Sequence, residues 1–145
     1  MSYPANEILH QLIHAYKRQL RARIQEQEID LPVNHIRVLK GIGKYPQSTA
    51  RSIALRMNQD KAQITRVLNE LVHSALINKT DNPDDRRSQF LTPTAAGKKI
   101  LEKVNNLETE VIAAMTHNLS EKELKTFAHI ASVMIENLTE HSTSD

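Results

Sequence analysis

The chain has 145 residues with a formal net charge of +2, enough for one domain with a modest core. It has no cysteine, which excludes disulfides and thiolate chemistry, and aromatic residues make up only 3%, which argues against base-stacking platforms. No apolar run approaches the ~18 residues of a membrane span, and the first residues lack a secretory pattern, so a cytoplasmic location is expected.

The first predicted element is a long helix over residues 4–28. Ile8, Leu9, Leu12, Ile13, Tyr16, Leu20 and Ile24 recur at helical spacing, and Lys17, Arg18, Arg21 and Arg23 make the other face basic. Asp30-Leu31-Pro32 interrupts it. A second helix over 32–43 carries Val33, Ile36, Val38, Leu39 and Ile42, with Pro32 in its first turn and Gly41, Gly43 and Pro46 ending it. Thr49 is placed to cap a short third helix over 50–57. Asp60 followed by Gln63 has the spacing of a capping box and opens a fourth helix, with Ile64, Val67, Leu68 and Leu71 as its apolar stripe. A short helix, a three-residue connection and a capped second helix form a helix-turn-helix outline.

Residues 76–80 and 88–92 read as two strands joined by a turn over 81–87, a hairpin hung on the fourth helix. This is the winged form of the motif. Thr94 caps a long fifth helix with a stripe from Ile100 to Met115. Ser120 and Glu123 form a capping box for a last helix, with Leu124, Phe127, Ile130, Ala131, Met134 and Leu138 inward. The predicted fold is mainly α with a small β-hairpin wing. Residues 1–145 form a single domain: a winged helix-turn-helix lobe over 31–101, with 4–28 and 102–140 as dimerisation helices. Packing of those helices on the lobe of a monomer is the alternative.

Charge is unevenly distributed. Residues 44–99 carry ten Lys or Arg against five acids, whereas residues 100–145 carry three against eight. A basic middle suits a polyanionic partner, although chance fluctuation gives similar patterns. On the fourth helix, Lys61, Ala62, Gln63, Thr65, Arg66 and Asn69 point away from the apolar stripe. Gln and Asn match adenine, Arg matches guanine, and Lys, Thr and a helix N-terminus suit phosphate. An ordinary solvated face has a similar composition; the position between a capped helix and a basic hairpin favours DNA. The turn contains Asp85, Arg86 and Arg87. A hairpin beside a major-groove helix reaches the adjacent minor groove, where arginine's flat guanidinium suits the narrow negative channel. Asp85 is expected to hold the Arg87 side chain extended, or merely to stiffen the turn. Thr49, Lys79 and Ser88 complete the expected DNA-facing set.

At this point the sequence resembles the MarR family of transcription regulators. The resemblance rests on "HIRVLKGI", "TARSIALRMNQDKAQITRVLNELVHSALI" and "DRRSQFLTPTAAG". The family's Asp-x-Arg falls on Asp85 and Arg87, and its Thr-x-x-Gly on Thr94 and Gly97. Three positions depart. Ala75 replaces a usual Gly, so the site either needs no positive φ or is strained. Pro93 replaces Leu, which should end the second strand early, and Pro32 replaces a capping Thr. The resemblance implies a sequence-specific, homodimeric repressor of a palindromic operator, relieved by a small aromatic or phenolic anion. It implies an effector pocket at Tyr16, Arg18, His35, Ile36 and Leu39. The competing reading is a winged-helix protein-interaction module without a specific operator.

No cofactor or metal site is expected. His10 and His14 sit four apart, a workable two-ligand spacing, but no HExxH or cysteine pair accompanies them. No GxSxG or phosphate loop is present, so an enzyme is not expected.

Overall fold

The computed structural model describes residues 4–143, with side chains through Thr139. In chain order the elements are α1 (Ala5–Glu26), α2 (Val33–Lys44), α3 (Ala50–Met57), α4 (Lys61–His73), β1 (Ile77–Asp81), β2 (Gln89–Pro93), α5 (Ala95–Met115) and α6 (Glu121–Thr143). The chain divides into two compact units, one ending at Thr109 and one beginning at Glu110.

In the first unit, the larger core gathers Val38, Leu39 and Ile42 of α2, Ile53 of α3, and Ile64, Val67, Leu68 and Leu71 of α4. Leu76, Ile77 and Leu91 close it from the hairpin. The helical members of this core are apolar positions that recur at helical spacing, so periodicity translates into packing there. A smaller core joins Ile24 of α1, Ile36 of α2, and Val104 and Leu107 of α5.

The Thr49 hydroxyl accepts the Ser52 amide at 3.1 Å, and the Ser52 hydroxyl accepts the Thr49 amide at 2.9 Å. This reciprocal box starts α3. Asn58, in the left-handed region at φ 49°, ends the helix. Residues 58–60 turn the chain into α4. Gln59 pins that turn to α2 through two side-chain amide bonds with Asn34, at 2.8 and 3.2 Å.

Several local expectations are corrected. The Asp60 side chain makes no capping bond, so the Asp60–Gln63 box does not form. Asp60 is exposed, and water can serve both its carboxylate and the first amides of α4. Pro32 caps α2 from outside its first turn. Gly41 and Gly43 lie within α2 rather than ending it. Their role is contact: a Cβ on Gly43 would meet Leu101 Cδ1 at 2.7 Å, and one on Gly41 would touch Ile53 at 3.4 Å.

The hairpin is antiparallel and one residue later than expected. Its register runs from Asp81 opposite Gln89 to Ile77 opposite Pro93. Pro93 therefore belongs to β2 instead of cutting it short. It holds the last pair of the ladder, and the next amide, on Thr94, bonds the Leu76 carbonyl at 3.0 Å. Leu91 also donates its amide to the Ser48 carbonyl at 2.8 Å, tying the segment before α3 to β2.

Ala75 does adopt a positive φ, 61°. The Leu76 amide reaches the Leu71 carbonyl and the Ala75 amide reaches that of Val72, each at 2.9 Å. This is the hydrogen-bond pattern of a Schellman motif, built on a residue that resists it. Thr94 steadies the site: its hydroxyl donates to the Ala75 carbonyl at 2.7 Å and accepts the Gly97 amide at 3.1 Å. The Thr-x-x-Gly spacing has a physical reason here. A Cβ on Gly97 would lie 2.2 Å from the Leu76 carbonyl oxygen, so only glycine lets α5 start against the end of α4.

In the second unit, Ser120 and Glu123 form their reciprocal capping box, at 2.9 and 3.1 Å. The bonds from the Ser120 amide and hydroxyl hold the Glu123 carboxyl below its ordinary value of 4.5.

Candidate nucleic-acid interface

The packing of α4 decides which side chains it can offer outward. Ile64, Val67, Leu68 and Leu71 are buried, so the opposite arc carries Ala62, Arg66, Asn69 and His73, all exposed. Lys61 and Thr65 lie on the edge toward the wing, and Gln63 and Glu70 on the other edge. Thr65 donates its hydroxyl to the Lys61 carbonyl at 2.8 Å.

One groove collects most of the predicted contacts. Of the predicted set, Thr49, Lys61, Thr65 and Asn69 line it from the helices, and Lys79, Asp85, Arg87 and Ser88 from the hairpin. Lys79 Nζ lies 3.4 Å from Asn69 Oδ1, linking β1 to α4. Three cations of the predicted set, Lys61 of α4 and Lys79 and Arg87 of the hairpin, thus converge beside polar groups that include Thr49 at the start of α3. The sequence reading missed Arg51, which lines the same groove from the first turn of α3. No spacing rule marks it, because its place in the groove depends on how α3 packs against α4.

Arg66 falls outside this groove. It lines a separate depression with Asp30, Leu31, His35, Asn69, Glu70 and His73. Ala62 and Gln63 are exposed on α4, and Arg86 is exposed on the turn.

Asp85 does not extend the Arg87 side chain by pairing with it. Its carboxylate accepts the main-chain amide of Arg87 at 2.9 Å. The Asp85 amide bonds the Asn82 carbonyl at 3.2 Å, and Asn82 Nδ2 donates to the Ser88 hydroxyl, also at 3.2 Å. Asp85 therefore shapes the backbone from which Arg86 and Arg87 project. This is the turn chemistry of a short carboxylate.

The five residues assigned to an effector pocket are dispersed. Leu39 is fully buried in the larger core, and Ile36 lies in the smaller one. His35 lies in the Arg66 depression, while on α1 Tyr16 is half-buried and Arg18 exposed. A different cleft has a cationic rim and an apolar floor. It lies between α2, α3 and α5, with Lys40, Lys44 and Arg56 around Ile53, Met57 and Leu101. The Arg56 guanidinium stacks 3.9 Å from the centre of the Tyr45 ring. Lys40 is paired with Glu108.

Among the described residues, no group of three or more His, Cys, Asp or Glu could hold a metal ion. No described helix is long and apolar enough to cross a membrane.

Comparison with known proteins follows the same lines. Residues 29–88 match the family model described as MarR family. The chain is 28% identical over 123 residues to the HTH-type transcriptional regulator YwhA of Bacillus subtilis, covering 82% of this chain and 88% of that one. A mutant MarR of E. coli complexed with operator DNA superposes with a TM-score of 0.68 at 25% identity, over 92% of this chain and 99% of that one. FabT of Streptococcus pneumoniae in complex with DNA superposes at 0.79 with 18% identity, over 94% and 96% of the two chains.

Proposed function

We propose that this chain is a MarR-type transcription regulator and that it acts as a homodimeric repressor of a palindromic DNA operator. The observation that carries the reading is the groove where α3, α4 and the hairpin converge, with Arg51, Lys61, Lys79 and Arg87 around Thr49, Thr65 and Asn69. Ala62, Gln63, Arg66 and Asn69 enter the major groove and read base edges. Arg86 and Arg87 reach the neighbouring minor groove. Thr49, Lys61, Lys79 and Ser88 meet phosphates and fix the register, and Asp85 holds the turn in shape. The likeness to a MarR solved with operator DNA, at 25% identity, supports a DNA-binding role.

The whole chain works as one functional domain, with the lobe over 31–101 reading DNA and the flanking helices clasping a second copy. The support is apolar exposure. Ile8 and Leu9 on α1 are 56% and 55% exposed, and Ile135 and Leu138 on α6 are 63% and 74% exposed. Apolar stripes of this length mark an interface with another chain. A two-fold pair of lobes then matches a two-fold DNA site. A dimer covering its operator blocks other proteins from that duplex, which is repression in physical terms. Such a regulator works in the cytoplasm. A small aromatic or phenolic anion releases it, and the cleft rimmed by Lys44 and Arg56 has the chemistry to accept one.

Selection from random duplexes with the full-length protein tests the reading. The expected product is a palindrome whose binding weakens steeply with salt, with a log–log slope of ~0.9 per phosphate contacted. Failure to enrich any sequence would favour the interaction module without an operator.

A further inference from the structure

Arg66 and Glu70 stand four residues apart on α4. On a helix surface that spacing puts an arginine and a carboxylate within reach of each other, and they attract. For a residue that must read DNA this is a liability, because a carboxylate on its guanidinium occupies the donors that a guanine needs. The structure shows Glu70 engaged elsewhere: its carboxylate bonds His35 Nε2 on α2. Facing a carboxylate, Nε2 is the donor. Among the described residues the other ring nitrogen, Nδ1, is buried without a hydrogen-bond partner, so Glu70 is the polar contact that the ring makes there. His35 is mostly buried at 13% side-chain exposure, whereas Glu70 is 55% exposed. The fixed partner is the histidine, and the movable one is the glutamate.

We propose that His35 is a positioning residue for DNA reading: it holds Glu70 aside and so leaves the Arg66 guanidinium available to a base. The proposal rests on the DNA-reading role of α4. The same depression contains Asp30 and His73. Asp30 lies outside α4, so Glu70 is the carboxylate that the helix itself brings to Arg66. Holding Glu70 against α2 also moves its negative charge from the face that meets phosphates.

The test measures affinity of the full-length protein for its selected duplex at fixed salt, together with the base preference at each position. His35→Leu removes the donor and should weaken binding by on the order of tenfold, the size of one bidentate base contact. It should also flatten preference at the base pair that Arg66→Ala flattens. His35→Asn keeps a polar group but is too short to reach Glu70; it should behave as His35→Leu does and covers the case in which leucine unfolds the lobe. His35→Gln keeps a reaching donor and should bind like wild type. The decisive variant is His35→Leu with Glu70→Gln, which should regain both affinity and preference. In Arg66→Ala protein, His35→Leu should cost nothing further. Equal binding by His35→Leu and wild type would overturn the proposal. So would a double variant as weak as His35→Leu, because a purely structural histidine would not be rescued by removing a charge. A wild-type protein that binds no duplex would instead remove the DNA-reading role itself, and this inference with it.

Discussion

Helices α4 and α6 carry similar apolar stripes and meet opposite fates. In α4, Ile64 and Leu71 are completely buried under α2, α3 and the hairpin. In α6, Ile130, Met134, Ile135 and Leu138 remain between 47% and 74% exposed. Periodicity tells which side of a helix needs cover; it does not tell what covers it. The lobe supplies its own cover. The α6 stripe has the chemistry of a surface completed by another chain.

Two substitutions should separate these fates most sharply. Leu71→Ala removes a side chain from the closed core and should cost about 3–4 kcal/mol of unfolding free energy, read by urea denaturation, with the mass in solution unchanged. Ile135→Glu should do the reverse. It charges the α6 stripe and should yield a monomer in sedimentation, with far-ultraviolet circular dichroism retained. Operator affinity should then fall by about 100-fold, because the second lobe no longer binds intramolecularly. If Ile135→Glu kept the dimer, the contrast between the two stripes would lose its meaning.

Smaller effects sharpen the picture within each region. Arg87→Ala should weaken operator binding by about tenfold in a gel-shift titration and leave the sedimentation of the protein unaltered. Ala75→Gly should raise stability by about 1 kcal/mol, seen as a higher melting temperature, because Ala75 holds a φ of 61° that glycine adopts freely. The smallest effect concerns the start of α6. The depressed Glu123 carboxyl contributes stability above its ordinary value of 4.5, and that contribution disappears as pH falls through its folded value. Ser120→Ala should return Glu123 toward ordinary titration in a carbon-detected NMR experiment.

The sequence was most informative where causes are local. Helical spacing located six helices, turn residues located the hairpin, and the Ser120–Glu123 and Thr49 caps formed where hydroxyls preceded helices. It was least informative where a residue answers to something distant in the chain. Gly41 and Gly43 look like helix terminators, yet they are contact points with Ile53 and Leu101. Ala75 gave two possibilities, and the Thr94 bond from the start of α5 shows how the positive φ is held. Pro93 keeps its place in β2 because it occupies the last pair of the ladder. Among the candidate DNA contacts, the Lys61, Thr65 and Arg87 cluster followed from element order. Arg51 and the His35–Glu70 contact depend on how α3 and α2 pack on α4, which no spacing rule encodes.

The central claim is that two copies, joined through their terminal helices, present paired helices and wings to one duplex. Sedimentation of the purified protein alone and with a selected palindromic duplex tests it most directly. The account predicts two chains in free solution and two chains per duplex at low ionic strength. A single chain in solution that does not sediment with the duplex would contradict it.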